Sequence, residues 1–203
     1  MYDKEQPVNI VNNQYKAYLI GAMESPAKKD AGEGWRKLIT PHLLSRGIYC
    51  FDPTKEEMKK VGMPTVELIK KLKGWQQGGH WDKFLNAMGK IWRGKTTMTE
   101  DETSGEPQVN HIMGDVDYVE RSDFLIFHMS EGDVLGGSIA ELTIAWYRGI
   151  PVYLVTDVPK HKINKSILYF ILDSGHGNGT IVRNQSELLR FLDQKYDGTQ
   201  KIS

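Results

Sequence analysis

Cysteine is almost absent from this sequence, which has Cys50 alone in 203 residues. One cysteine cannot form an internal disulfide, so disulfide-stabilised secreted domains are excluded and a reducing, cytoplasmic location is favoured. Cys50 lies between Tyr49 and Phe51 in an apolar run. We interpret it as a packing residue, because free cysteine commonly behaves as a small hydrophobic side chain.

Net charge, long apolar runs and cofactor motifs are also lacking. The 26 basic and 26 acidic residues cancel, so the charge gives no reason to expect nucleic acid or a membrane surface as a partner. No stretch approaches the roughly 18 apolar residues of a membrane span, and the start "MYDKEQPVNI" lacks a signal-peptide core. There is no GxGxxG or Walker loop, and the histidines lack metal-ligand spacing. The sequence therefore predicts neither a cofactor nor a metal.

Short apolar runs alternate with segments of helical spacing along most of the chain. Five runs predict strands: "KAYLIGAM" (16–23), "IYCF" (48–51), "FLIFHM" (124–129), "IPVYLV" (150–155) and "GTIVRN" (179–184). Strands joined through helices build parallel sheets. The sequence therefore predicts one α/β domain over residues 1–203, a doubly wound five-stranded sheet that binds its ligand at the carboxyl ends of the strands.

A segment at about 54–107 interrupts this alternation and predicts a helical and loop insertion. "TVELIKKLKGW" (65–75) and "WDKFLNAMGKIW" (81–92) have helical character, and the polar stretch "TTMTEDETSGEP" (96–107) predicts a mobile loop. A helix is predicted over 109–123, from apolar residues three and four apart. The insertion has the position of a lid over the core.

Two acids fall at the predicted ligand-binding edge: Glu141 follows a Gly-Gly turn in the predicted first turn of a helix, and Asp133 lies in the loop "SEGDVLGG". Asp115, on the predicted helix before the strand 124–129, reaches them only if the start of that helix borders the same crevice. An acid at a helix start can simply match the helix dipole. Clustered carboxylates, however, raise one another's pKa, and a carboxylate pair across a glycosidic bond is the usual apparatus of retaining glycosyl chemistry.

The segments "YLIGAM", "GWRKLITPHL", "DVDYVERSDFLIF" and "GGSIAELTIAWYRGIPVYLV" together resemble the nucleoside 2-deoxyribosyltransferase family and its nucleotide N-glycosidase relatives. The resemblance leaves out the 54–107 region, and its last segment is the most specific. It implies a flavodoxin-like (Rossmann-like) fold, a nucleoside or nucleotide and a free base as small-molecule partners, and a homo-oligomer. Thr143 stands where the family pattern has glycine.

The resemblance also implies roles for individual residues. Glu141 matches the nucleophile that attacks C1′ of the sugar, Asp115 matches the aspartate that assists the departing base, and Asp133 matches a loop aspartate with about two extra residues before Glu141. The matched substrate-binding positions are Gly21, Ala22 and Met23 beside the base, Gly137 and Ser138 beside the sugar or a 5′-phosphate, and Asn164, offered to a neighbouring subunit.

The implied function is cleavage of the N-glycosidic bond of a (2′-deoxy)nucleoside through a covalent glycosyl–Glu141 intermediate, with transfer of the deoxyribosyl group to another base. Hydrolysis of a 2′-deoxynucleoside 5′-monophosphate is the alternative, with Ser138 and Arg36 as candidates for the phosphate. A phosphoribohydrolase with a "PGGxGTxxE" loop is a further alternative, although Leu135 replaces its proline. The last alternative is a non-catalytic nucleotide-binding module. The acids at 115 and 141 argue against it, because carboxylates would repel an anionic nucleotide.

Overall fold

The computed structural model describes residues 15–23, 32–100 and 107–196. Its strands in chain order are β1 (Tyr15–Gly21), β2 (Ile48–Phe51), β3 (Lys95–Glu100), β4 (Pro107–Ile112), β5 (Phe124–Met129), β6 (Val152–Thr156) and β7 (Thr180–Val182). Five of them form one parallel sheet in the order β2-β1-β5-β6-β7. This is the flavodoxin-like strand order, and the predicted fold class is confirmed.

Helices cover both faces of this sheet. They are α1 (Glu33–Leu44), α2 (Pro53–Val61), α3 (Thr65–Gln77), α4 (Trp81–Arg93), α5 (Asp115–Glu120), α6 (Gly136–Tyr147), α7 (Lys165–Gly177) and α8 (Gln185–Tyr196), with a 3-10 turn at Lys160–Lys162. Apolar side chains of α1 and α8 pack on one face, and those of α5, α6 and α7 pack on the other. Burial on both faces explains why the sheet strands are continuous apolar runs rather than alternating ones.

The insertion between β2 and α5 consists of α2, α3, α4 and a hairpin formed by β3 and β4. Its helices share a small apolar cluster that includes Leu68, Leu72, Ala87 and Ile91. The predicted helices at 65–75 and 81–92 are present.

Two predictions in this region are wrong. The stretch 96–107, predicted as a mobile loop, contributes to antiparallel strands β3 and β4, while residues 101–106 lie outside the described residues. The helix predicted over 109–123 is also wrong in its first half, because β4 runs to Ile112 and α5 begins only at Asp115. Threonine-rich β3 favours an extended strand, and pairing with it overrides the helical spacing of the apolar residues that follow.

Two glycines hold the hairpin against the start of α5. Gly94 has φ +74 and ψ −167, a combination essentially restricted to glycine. A Cβ at Gly94 would overlap the carbonyl oxygen of Ile112, and a Cβ at Gly114 would overlap the backbone nitrogen of Gly94. The two chain segments therefore touch backbone to backbone directly before Asp115.

Within the described ranges, no helix has both the length and the apolar character needed to cross a membrane.

Candidate active site

A cavity of about 360 Å³ opens at the carboxyl edge of the sheet, between the core and the insertion. The end of β1, the start of α5 and the start of α6 form its floor, while α3 and α4 form a wall. Open α/β sheets bind ligands at this edge. Seven of the residues matched in the sequence line the cavity together: Gly21, Ala22, Met23, Asp115, Gly137, Ser138 and Glu141.

Asp133 and Asn164 are not among the described residues that line this cavity. Asp133 Oδ2 accepts a hydrogen bond from the Ser130 backbone nitrogen at 2.9 Å, which holds the loop between β5 and α6. Asn164 is the N-cap of α7, where its Oδ1 accepts from the Ser166 backbone nitrogen at 2.9 Å. Each side chain thus has a local structural contact on the chain segment that carries it.

Glu141 lies one turn deeper in its helix than the sequence predicts. Helix α6 begins at Gly136, so the two glycines are helical and Glu141 falls in the second turn. The helix dipole acts chiefly within the first turn, so matching the dipole does not account for this acid. Its side chain is buried, and Glu141 Oε1 accepts a hydrogen bond of 2.8 Å from the Tyr18 hydroxyl.

Burial, followed by the nearby charge of Asp115, raises the pKa of Glu141 from its ordinary value of 4.5 to about 8. The Tyr18 hydrogen bond and the positive charges of Arg36 and Lys60 oppose these effects. Glu141 is therefore largely protonated at neutral pH, because burial and the charge of Asp115 both oppose its ionisation.

Asp115 is the first residue of α5 and is 4% exposed. Burial raises its pKa, while the Lys60 ammonium, which contacts Asp115 Oδ1, lowers it. Lys60 is on α2 and is itself buried. The insertion thus supplies the counter-charge to an acid of the core.

Tyr18 is the connection between the two acids. It is completely buried on β1, donates to Glu141 and also interacts with Asp115. Burial, followed by the charges of Asp115 and Glu141, raises the pKa of Tyr18 well above its ordinary value. Its hydroxyl consequently stays protonated and always has a hydrogen to donate to a carboxylate.

Arg36 lines the cavity but is fully buried, and each of its three nitrogens donates to a backbone carbonyl oxygen. Its nitrogens donate to the carbonyl oxygens of Leu19 at 3.2 Å, Gly32 at 2.9 Å and Gly21 at 3.2 Å. Arg36 Nε also lies 3.7 Å from Asp52 Oδ1. These contacts fix the end of β1, where the cavity begins, and place a cation near Glu141.

The wall contributed by the insertion is apolar. Its cavity-lining side chains are Leu68, Ile69 and Leu72 of α3 and Met88, Ile91 and Trp92 of α4. The polar side chains among the described lining residues are Arg36, Asp115, Ser138 and Glu141, all from the α/β core. The cavity thus joins a charged floor to an apolar wall that suits a flat aromatic group.

Sequence reasoning missed Tyr18 and Lys60. The sequence offers one indication for Tyr18: it is a tyrosine in an otherwise apolar strand, and a buried tyrosine hydroxyl needs a hydrogen-bond partner. It offers no indication for Lys60, because the helix that carries Lys60 is rich in lysine and only the fold shows which lysine is buried. Among the described residues no group of three or more His, Cys, Asp or Glu is arranged to hold a metal ion.

Comparison with protein-family models and with curated proteins found no match to this chain. Comparison with solved structures found similar ones, among them three with the following scores and identities. A conserved protein from Enterococcus faecalis has a TM-score of 0.49 at 16% identity, and the match covers 90% of this chain and 99% of that one. A 2-deoxyribosyltransferase from Bacillus psychrosaccharolyticus has a TM-score of 0.46 at 15% identity, over 86% of this chain and 90% of that one.

The third structure, a CMP N-glycosidase from Clostridium botulinum, has a TM-score of 0.42 at 13% identity, over 89% of this chain and 98% of that one. Two of the three are thus named as the kinds of protein that the sequence motifs resemble. At scores and identities this low, the likeness carries no inference about activity. The reaction has to be inferred from the site itself.

Proposed function

We propose that this protein cleaves the N-glycosidic bond of a (2′-deoxy)nucleoside through a glycosyl ester on Glu141 and transfers the sugar to another base. The observation that carries the proposal is the pair of buried carboxyl groups, Glu141 and Asp115, facing one cavity with the Tyr18 hydroxyl between them. Two carboxyl groups with distinct surroundings suit a nucleophile and an acid.

The two halves of the reaction divide between these groups. As the bond from C1′ to the base nitrogen breaks, its electron pair goes to the nitrogen, which takes a proton from Asp115. Glu141 bonds to C1′ from the other side and neutralises the positive charge that develops on the sugar. An incoming base then attacks C1′, releases Glu141 and returns a proton to Asp115.

The surroundings of the two acids support this division, and Tyr18 interacts with both. For reaction the proton must be on Asp115 and the negative charge on Glu141. The Tyr18 hydrogen bond and the Arg36 charge both favour the ionised form of Glu141, so they support this arrangement.

The charges of the site support a nucleoside rather than a 5′-monophosphate as the substrate. The ionisable side chains lining the cavity, within the described residues, are two acids and Arg36, whose nitrogens donate to backbone carbonyls. A phosphate dianion would be repelled by the carboxylate that Glu141 must become in order to react. The apolar wall supports transfer over hydrolysis, because it limits water around the ester and provides a surface for a second base.

The test is incubation of the protein with a 2′-deoxynucleoside, with and without a second base at millimolar level, followed by chromatography of the products. We expect a new nucleoside to form faster than free sugar. Equal release of sugar with and without the acceptor would make the protein a hydrolase, and release only from a 5′-monophosphate would establish the alternative substrate.

Trapping the intermediate tests the nucleophile. Mass spectrometry after reaction with a 2-fluoro-2-deoxy nucleoside should find the adduct on the peptide that contains Glu141. An adduct on another peptide would assign the nucleophile there. The homo-oligomeric state, the cytoplasmic location and the roles of Asp133 and Asn164 remain predictions.

A further inference from the structure

Lys60 is a buried cation on the insertion, directed at an acid of the core. Its side chain is 0% exposed, and its ammonium contacts Asp115 Oδ1. It also lies 3.5 Å from the Ile91 carbonyl oxygen and 5.1 Å from the centre of the Tyr118 ring. Burying an ammonium costs several kcal/mol before any attraction is counted.

Stability alone is a poor reason for this arrangement. Replacing a buried ion pair with apolar side chains of similar volume is often neutral or stabilising. Besides Asp115, the Lys60 ammonium contacts the Ile91 carbonyl oxygen and the face of the Tyr118 ring, and neither carries a negative charge. What distinguishes the pair is that its acid, Asp115, lines the cavity opposite the insertion wall.

We propose that Lys60 is a positioning residue, which orients the Asp115 carboxyl group and stabilises the negative charge that Asp115 acquires on protonating the departing base. The inference rests on the proposed function, and Lys60 does not touch the substrate. It keeps its own proton throughout: the proton that leaves Asp115 goes to the base nitrogen, and the remaining carboxylate is held by the ammonium already beside it.

The contact is useful because the cation is in place before the charge develops. A preorganised opposite charge in a water-poor site stabilises the developing carboxylate without a cost for reorganisation at the moment of reaction. Burial alone would keep the proton on Asp115 and make it a weak acid, whereas Lys60 opposes that effect. The groups around Asp115 that set this balance are Lys60, Tyr18 and Glu141.

The inference gives the insertion a role beyond that of a lid. Helix α2 carries Lys60, and its Glu56 accepts a hydrogen bond of 2.7 Å from the Tyr118 hydroxyl of α5. Helix α2 therefore contacts α5 at both Asp115 and Tyr118. The acid half of the site is completed by residues that the family resemblance in the sequence does not cover.

The test compares Lys60→Met with the control Lys55→Met, which removes an exposed cation from the same helix. The probes are 2′-deoxyadenosine, 2′-deoxyuridine and 2′-deoxy-5-fluorouridine, whose bases differ in leaving ability. For Lys60→Met we expect kcat to fall by about 10- to 100-fold on the poorest leaving group and by less than about threefold on the best, with KM little changed.

The pH profile gives a readout that a merely structural role would not move. Without the cation both carboxyl groups hold their protons to higher pH, so the alkaline limb of kcat/KM should shift upward in Lys60→Met. Lys60→Arg keeps the charge and should restore most of the rate and the wild-type limb. Equal losses on all three probes with an unmoved limb, or no rescue by arginine in a folded variant, would overturn the inference.

Titration of the Asp115 carboxyl carbon by 13C NMR separates this inference from the proposed function. If the wild-type protein releases no base from any donor, including the 5′-monophosphates, the proposed function is wrong. If Asp115 titrates at the same pH with and without Lys60, the inference is wrong whatever the activity. The expected result is a higher pKa for Asp115 in Lys60→Met.

Discussion

Glu141 combines burial, a hydrogen bond from Tyr18 and a second acid nearby, and at the residue scale these neighbours decide its chemistry. Substitution by glutamine keeps its shape and removes the nucleophile. We expect Glu141→Gln to abolish base release with little loss of stability, because the amide replaces a group that is largely protonated at neutral pH. Chromatography of the products measures base release, and the thermal midpoint measures stability. The control is Glu131→Gln, which changes an exposed glutamate. Wild-type turnover in Glu141→Gln would contradict the assignment.

The raised pKa of Glu141 also predicts how stability depends on pH. The folded protein holds this proton up to about pH 8, whereas the unfolded chain releases it near the ordinary value of 4.5. The folded state therefore binds more protons than the unfolded state in that window, so the free energy of unfolding should decrease as pH rises from about 4.5 to about 8. Asp115, whose pKa is also raised, acts in the same direction.

Calorimetric thermal midpoints of the wild type and of Glu141→Gln, measured between about pH 4.5 and about pH 8, test whether stability decreases as pH rises. The decrease should be smaller in Glu141→Gln, because glutamine does not titrate. Equal slopes for the two proteins would mean that Glu141 is ionised in the folded state.

Individual residues show where sequence reasoning succeeds and where it stops. Glu141 could be selected because it follows a predicted strand of the ligand-binding edge, whereas Asp115 could be selected by its match to the family motif. Tyr18 is 123 positions from Glu141, and Lys60 is 55 positions from Asp115. Such contacts depend on how α2 and β1 meet α5 and α6, and no local spacing encodes that meeting.

At the scale of elements, the sheet was predictable and the hairpin was not. Strands buried on both faces are continuous apolar runs, so all five were visible in the sequence. Among the described strands, β3 and β4 form a separate two-stranded sheet, and β4 is largely exposed. Their polar composition is therefore typical of a loop. Each strand is stabilised by pairing with the other, from which residues 101–106 separate it in the sequence.

The contact of Gly94 with the segment before Asp115 predicts an effect of the hairpin on the site. In Gly94→Ala the new Cβ overlaps the Ile112 carbonyl oxygen, so the hairpin and the start of α5 must move. We expect destabilisation beyond the roughly 1–3 kcal/mol of backbone strain, together with a fall in kcat. Chemical denaturation and steady-state kinetics measure the two effects.

Gly62→Ala is the matched control, since Gly62 also has positive φ, at +76, but has no atom within 4 Å of an added Cβ. It should show backbone strain with normal kcat. A Gly94→Ala protein with the activity of Gly62→Ala would mean that the hairpin does not position Asp115.

At the scale of the whole molecule, one exposed surface carries several large apolar side chains. A shallow groove along α7 is lined by Lys165, Leu168, Tyr169, Leu172 and Asp173. Tyr169 is 54% exposed and Leu172 is 43% exposed, and Tyr169 packs edge-on against Trp146 of α6. Large apolar side chains exposed together on one face are typical of interaction sites.

The charges at the two ends of this groove favour a second copy as the partner. Lys165 lies at the start of α7 and Asp173 two turns later, so two α7 helices packed antiparallel would place each lysine near the other copy's aspartate. Asn164, predicted from the sequence to reach a neighbouring subunit's site, is the N-cap of the same helix. The exposed groove and the residue predicted to reach a neighbouring subunit are therefore on the same helix.

We therefore expect a dimer in solution that Leu172→Glu converts to a monomer, because the substitution places a charge in the apolar centre of the contact and desolvating it is costly. Light scattering after size-exclusion chromatography measures the mass, and Leu38→Glu, which changes a 67% exposed leucine on α1, should leave it unchanged. If the neighbouring copy helps to close the cavity, the monomer should also lose base transfer relative to hydrolysis, because water then reaches the glycosyl ester more easily. A wild-type protein that is monomeric at the concentrations of the assay, yet transfers the sugar efficiently, would show that each chain forms a complete site alone.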